Sequence, residues 1–298
     1  MQGADEMQGK GALVSVDYCN PASLAILDTD LADQRESITT ITGQLDRYGF
    51  AVIQLDGTRP AHVALERLAE QLGLGDIFVP EIYRDPARGP DYKRFAEIVP
   101  DDSSRHPGFA NSNAQAMHVD GLLEPIATIK TSMLYCIFSA LSGGRTIIFN
   151  SSGAFTALQQ EDPAAADALL DKHVLERFTT IPGIHRKAFG PAFRREPDGG
   201  VVTRFSDGLT ERWHARDGLR AELERALRFF RSVTRCDNRF RVSVPLTPDQ
   251  VLILRNDQVS HGREAFVSDQ ARPRHLVRAL FLNAPSGPLA SRSEAGHG

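Results

Sequence analysis

The sequence predicts a mainly β fold with flanking helices, and three observations carry that prediction. Short β-branched and aromatic runs bounded by Gly and Pro turns dominate the second half of the chain. Helical periodicity is confined to a few separate segments. Nothing reads as successive βαβ units with a Gly-rich phosphate loop, and the lone Gly-x-Gly at Gly73 lacks a third glycine.

Taken in order, residues 1–22 read as a flexible lead-in. Over residues 30–48, Leu31, Ile38, Ile41 and Leu45 recur at helical spacing, and Gly49 stops the helix. Residues 50–53 form a short buried strand. Pro60 opens a second helix through Val63, Leu65, Leu68 and Leu72, closed by Gly73 and Gly75. Residues 76–112 sustain no period, with Pro80, Pro86, Pro90, Pro100 and Pro107 alternating with Arg, Asp and aromatics. So long an irregular connection is read as a lid-like insertion. Residues 127–141 have the content of a strand, Gly143 and Gly144 make a turn, and residues 146–149 make another strand. Residues 163–175 read as a helix with Asp162 as its cap. Residues 176–213 mix short β-like pieces, such as 201–205, with turns. Residues 217–233 are an amphipathic helix with Leu219, Leu223, Leu227 and Phe230 on one side. Residues 240–245 alternate, 251–254 are a buried strand leading to Asn256, and 274–283 are the last strand. Residues 286–298 are a polar tail. With no internal repeat and no linker, residues 23–285 are expected to form a single domain.

Composition narrows the function classes. The chain of 298 residues is 41% hydrophobic and 24% charged, ordinary values for a globular protein. Its net charge of −4 comes from interspersed acids and bases, so no basic face argues for nucleic acid. No apolar run approaches the roughly 20 residues that span a bilayer, and the N-terminus lacks a signal-peptide pattern. Cys19, Cys136 and Cys236 are widely spaced and suggest neither a disulfide framework nor a zinc–cysteine site. A cytoplasmic protein acting on a small molecule, not on nucleic acid or membrane, is expected; a homo-oligomer is left open.

The stretch that carries chemistry is His118-Val119-Asp120-Gly121. On a strand, His118 and Asp120 point to one side with Val119 turned away. One imidazole and one carboxylate make two-thirds of the set that holds non-haem Fe(II); the bland alternative is a surface ion pair or a satisfied core histidine. His261 is the third ligand candidate. It follows a strand by a few residues, with Gly262 letting the backbone approach a ligand, or else it is a surface-loop histidine. His62, His106, His173, His185, His214 and His275 lack comparable context. Arg274 and Arg278 are four apart on a strand and share a face, about 13 Å apart. Buried guanidinium groups need anions, so the two mark either two carboxylate recognition points or two structural ion pairs. Thr146 offers a hydroxyl to the same anion, or is an ordinary strand threonine. Trp213 is read as a packed residue ahead of a stacking platform.

These residues, with the segments around them, resemble the TauD/TfdA family of Fe(II)- and 2-oxoglutarate-dependent dioxygenases, including its clavaminate-synthase-like members. The matching segments are 48–53, 117–121, 142–146, 251–256, 261–263 with Phe266, and 274–278, in the family's order over roughly residues 30–283. The resemblance implies a double-stranded β-helix (jelly roll). It makes His118, Asp120 and His261 the catalytic iron ligands, with 2-oxoglutarate and O2 as co-substrates. It makes Arg274, with Thr146 assisting, the partner of the distal 2-oxoglutarate carboxylate, and the Arg-x-x-x-Arg pattern selects Arg274 over Arg272. Arg278 becomes a candidate for an acidic group of the substrate. The stretch from Arg204 to His214, like the insertion at 76–112, is a further candidate for substrate contact, and Arg278 and Arg204 suggest a carboxylate or phosphate on that substrate. Halogenating relatives replace the carboxylate ligand with a small residue, so Asp120 favours hydroxylation of an unactivated C–H bond, or desaturation or cyclisation by the same oxidant. The region around Phe193 to Arg204 looks nearer the amino-acid and secondary-metabolite group. The rivals are a non-catalytic jelly-roll sensor of metal and oxo acid, and a zinc hydrolase using the same three ligands.

Overall fold

The computed structural model describes residue 13 and residues 16–28, 34–84, 93–100 and 111–286. Its frame is a six-stranded sheet whose neighbours run Ile26–Asp28, Phe50–Gln54, Gln250–Arg255, Thr131–Phe138, His275–Phe281 and Ala96–Ile98. The first pair is parallel and the rest are antiparallel. A four-stranded antiparallel sheet is built from Arg241–Val244, Thr146–Phe149, Ser260–Arg263 and Gln115–His118.

The central strands are apolar without a break because both of their faces are covered. Ala51, Ile53, Met133, Tyr135, Val251, Ile253 and Val277 pack against helices Gln34–Tyr48 and Ala61–Gln71 through Ile38, Ile41, Leu45, Leu65 and Leu68. The residues in alternate phase, Phe50, Val52, Leu134, Cys136, Leu252 and Leu276, meet Ile148, Val242 and Val244 of the smaller sheet. The two sheets therefore face each other across one apolar layer, the double-stranded β-helix (jelly roll) arrangement, without closing into a barrel. Helices Ser151–Glu161, Pro163–Ala168 and Arg220–Val233 join Phe149, Phe193 and Phe205 in a third cluster. Each of its fully buried phenylalanines contributes about 1.5–3 kcal/mol of burial.

Several elements differ from the sequence expectation for local reasons. Residues 151–161, between the strand and helix expected on either side, form a further helix. Asn150 caps this helix by accepting from Gly153 N at 2.8 Å, and its amide donates to Leu13 O at 2.7 Å. Part of the lead-in is thus packed: Leu13 and Tyr18 are buried, and the Tyr18 hydroxyl donates to Tyr48 O. Residues 1–12, 14 and 15 lie outside the described residues, as does Leu31. The helix begun by Pro163 ends at Ala168, and Leu175 already belongs to the strand Leu175–Phe178. The long strand is shorter than expected, since Ala127 has a φ of 62° that no strand residue adopts. Within the insertion, residues 85–92 and 101–110 lie outside the described residues, whereas Ala96–Ile98 is an edge strand beside His275–Phe281. Of the polar tail, residues 287–298 lie outside them too.

Candidate active site

His118 closes the strand Gln115–His118, and the chain then turns through Gly121 with φ at 92°. Asp120 lies beyond the strand, so strand alternation is not what aligns it with His118. Buried Asn256 does that work: its Oδ1 accepts from Asp120 N at 2.8 Å, while its Nδ2 donates to Asp120 O at 3.2 Å and Ile129 O at 2.9 Å. His261 follows the strand Gln250–Arg255 as expected, and it is no surface-loop residue. It sits inside a further strand, Ser260–Arg263, directly across from His118 on one side and Ile148 on the other. Ser-His-Gly has little intrinsic strand preference, and the two neighbouring strands impose it. Gly262 lines the site's cavity and serves a second purpose as well. A Cβ there would stand 2.7 Å from Gln115 O, so the glycine admits the adjoining strand, at a bulge.

The rings of His118 and His261 lie 4.4 Å apart between centroids, and His261 Nε2 is 3.7 Å from Asp120 Oδ2. One ligand atom from each of His118, Asp120 and His261 lies within 4.8 Å of the others. His118 Nδ1 faces Ala116 O at 3.0 Å, which suits an Nδ1–H tautomer and leaves Nε2 with its lone pair. Burial, reinforced by the neighbouring His261, pulls the His118 pKa down, and burial lowers His261 as well. Both imidazoles are therefore held neutral, the form that binds metal. Burial alone would raise the Asp120 carboxyl, but Arg278, the two imidazoles and Ser132 hold it below the usual range. Ser132 Oγ donates to Asp120 Oδ2 at 2.8 Å, and Arg278 Nη1 donates to Oδ1. His261 Nδ1 is buried without a hydrogen-bond partner. Two neutral imidazoles and one ionised carboxylate converging from a rigid sheet fit the facial Fe(II) set.

A partly open cavity is lined by His118, Thr146, His261, Arg263, Arg274 and Arg278. Thr146 lies in the same strand phase as Ile148, on the face turned toward the larger sheet. Arg274 is buried, donates to Gly144 O at 3.4 Å, and lies 5.2 Å from the Phe266 ring centroid. Burial, then the charge of Arg263, lowers its pKa to about 10. Arg278 also lines the cavity, but its guanidinium is engaged by Asp120 and by the Tyr83 hydroxyl. Arg204 is elsewhere, in a second, small cavity beside Asp120, Glu124, Thr203 and Asn256. His214 and His275 pair with Glu176 and Glu97, and Trp213 packs near Phe205.

Ser132, Asn256, Arg177 and Arg263 were not singled out from sequence as site residues. Ser132 carries a usable signal, a polar residue in the inward phase of an otherwise apolar strand. Asn256→Ala strips hydrogen bonds from three buried backbone groups. It is expected to lower the thermal unfolding midpoint and weaken iron binding about 10–100-fold, read by denaturation and by metal titration.

The family described as taurine catabolism dioxygenase TauD, TfdA family matches residues 21–280. The chain belongs to the TauD/TfdA family. It is thus a dioxygenase of that family, with iron as cofactor and 2-oxoglutarate as co-substrate. A uridine-5′-phosphate dioxygenase of a Streptomyces species is 45% identical over 249 residues, covering 82% of this chain and 89% of the relative. A second uridine-5′-phosphate dioxygenase, from an Amycolatopsis species, is 39% identical over 273 residues, covering 91% and 98%. Among solved structures, an asparagine oxygenase in complex with Fe(II), hydroxyasparagine and succinate shares the TauD/TfdA fold. Its TM-score is 0.60 at 15% identity, covering 86% of this chain and 93% of that one. No helix of the described residues is long and apolar enough to cross a membrane.

Proposed function

We propose that this TauD/TfdA dioxygenase hydroxylates a C–H bond of uridine-5′-phosphate or a closely similar nucleotide. The observation that carries the chemistry is the convergence of His118, Asp120 and His261 beside the cavity lined by Thr146 and Arg274. The nucleotide comes from the two relatives, and it satisfies the expectation of a small anionic metabolite through a phosphate rather than an amino-acid carboxylate.

His118, Asp120 and His261 would hold Fe(II). Bound there with 2-oxoglutarate and dioxygen, the metal supplies an oxidant for C–H bonds, with succinate and carbon dioxide as co-products. Ser132 and Arg278 fix the orientation and charge of Asp120. Arg274 would hold the distal carboxylate of 2-oxoglutarate as a bidentate partner, with Thr146 assisting, on the opposite side of the cavity. No side chain has to act as a general base. The retained Asp120 supports hydroxylation ahead of halogenation. Residues 23–285 would act as one catalytic domain in the cytoplasm, with a small molecule as the partner; the interspersed charge and the free Cys19, Cys136 and Cys236 suit that setting.

The test is succinate release by the Fe(II) enzyme with uridine-5′-phosphate, 2-oxoglutarate and oxygen. Release that rises at least tenfold over the substrate-free rate, in step with nucleotide consumed, is the expected result. Release that ignores the nucleotide would remove it as substrate, and release without oxygen would remove the dioxygenase chemistry.

A further inference from the structure

Arg177, on the strand Leu175–Phe178, and Arg204, just past Val201–Thr203, are each only 2% exposed. Their guanidinium groups converge on the segment that carries Asp120. Arg177 Nη1 donates to Val119 O at 3.2 Å and Gly121 O at 3.5 Å, and Arg204 Nη2 donates to Leu122 O at 3.4 Å. Those carbonyls occupy only part of the five N–H donors on each guanidinium. Both Nε atoms are buried with no hydrogen-bond partner. Among the described residues neither guanidinium joins an ion pair; the nearby Glu211 carboxylate is taken by Thr210 and by Gly208 N. Two like charges buried together are costly; the carboxylates of Glu211, Asp120 and Glu124 offset part of that cost without forming an ion pair with either guanidinium, and a bound anion would lower it further. Burial first, then the charge of Arg177, lowers the Arg204 pKa to about 10.

The surroundings are built to keep the pair. A Cβ on Gly190 would stand 2.8 Å from Arg204 Nη1, so that position gives the guanidinium its room. Arg204 lines a small cavity together with Asp120, Glu124 and Asn256. Arg177 lies near enough to His118 and His261 that its charge disfavours protonation of both. Of the other buried arginines of the site, Arg278 pairs with Asp120, Arg263 donates to Asn111 O and Asn113 O, and Arg274 donates to Gly144 O beside the proposed oxo-acid position; the Nε atoms of Arg263 and Arg278 are buried without a hydrogen-bond partner as well.

We propose that Arg177 and Arg204 form a buried anion pocket that takes the phosphate of the substrate nucleotide and sets its reach toward His118, Asp120 and His261. The assignment rests on the nucleotide reading given above. A phosphate monoester carries a charge of roughly −1.5 to −2 at neutral pH, which matches two guanidinium groups, and its oxygens match their forked donors. The backbone contacts then have a second use, since they hold the forks still before the anion arrives.

The experiment titrates the anaerobic Fe(II)–2-oxoglutarate enzyme with uridine-5′-phosphate and with uridine, reading the metal-to-ligand charge-transfer band, with inorganic phosphate as competitor. Arg204→Gln and the charge-conserving Arg177→Lys are compared with wild type, and the band itself reports that each variant is folded. Wild type is expected to prefer the nucleotide by about 100-fold or more, each variant to lose about 30-fold of that preference, and uridine binding to stay within about threefold. Inorganic phosphate should compete in wild type and cease to do so in Arg204→Gln. Variants that keep the preference, or lose uridine and nucleotide in parallel, overturn the pocket while the nucleotide reading stands. Wild type that shows no preference for the nucleotide but binds phosphate through Arg204 overturns the substrate and keeps the pocket. Wild type that binds neither overturns both.

Discussion

Replacing His261 by alanine is expected to abolish iron binding and reduce succinate release to background. The side chain sits in an inner strand of the four-stranded sheet, across from both His118 and Ile148, and the pairing on both sides fixes its direction. Loss of an outer partner of a metal ligand weakens such sites about 10–100-fold, and loss of the ligand itself should exceed that. The fold should survive, because a smaller side chain facing the cavity removes no core contact of the apolar layer. The measurement is the anaerobic charge-transfer band with Fe(II) and 2-oxoglutarate, alongside far-ultraviolet circular dichroism. A folded His261→Ala protein that still gives the band at the wild-type iron concentration would take His261 out of the ligand set.

Arg274→Ala should separate oxo-acid binding from metal binding. The guanidinium is buried between Gly144 and the Phe266 ring, and its described contacts include none of His118, Asp120 and His261. Truncating one member of a buried charge pair costs about 2–5 kcal/mol, so the 2-oxoglutarate requirement should rise at least about 30-fold with iron affinity nearly unchanged. Arg272 is the internal control. It is exposed and lies over the Phe138 ring at 4.5 Å, and Arg272→Ala should leave the requirement where it was. An unchanged KM for 2-oxoglutarate in Arg274→Ala would sink the assignment.

The apolar runs of the larger sheet were readable because both of their faces are buried, and helices Ala61–Gln71 and Arg220–Val233 because their apolar stripes keep the helical period. The gathering of His118, Asp120, His261, Thr146, Arg274 and Arg278 was likewise legible, through ordered short segments. What escaped was set by distant parts of the chain. The helix at 151–161 depends on a cap whose amide reaches Leu13, and the strand holding His261 is imposed by its neighbours. Asn256 and Arg177 act through backbone groups more than fifty residues away, which no local pattern announces. Arg204 was singled out for its charge, but only the structure gives it Arg177 for company.

The crowding at Gly262 makes the sheet its own proofreader. Shifting Ser260–Arg263 by one residue along Gln115–His118 would turn His261 to the opposite face of the sheet. The same shift would bring the Cβ of His261 or Arg263 to the spot where Gln115 O leaves room for hydrogen alone. A misaligned strand therefore meets a steric stop before it can settle, and the metal encounters a chain whose alignment has already been checked.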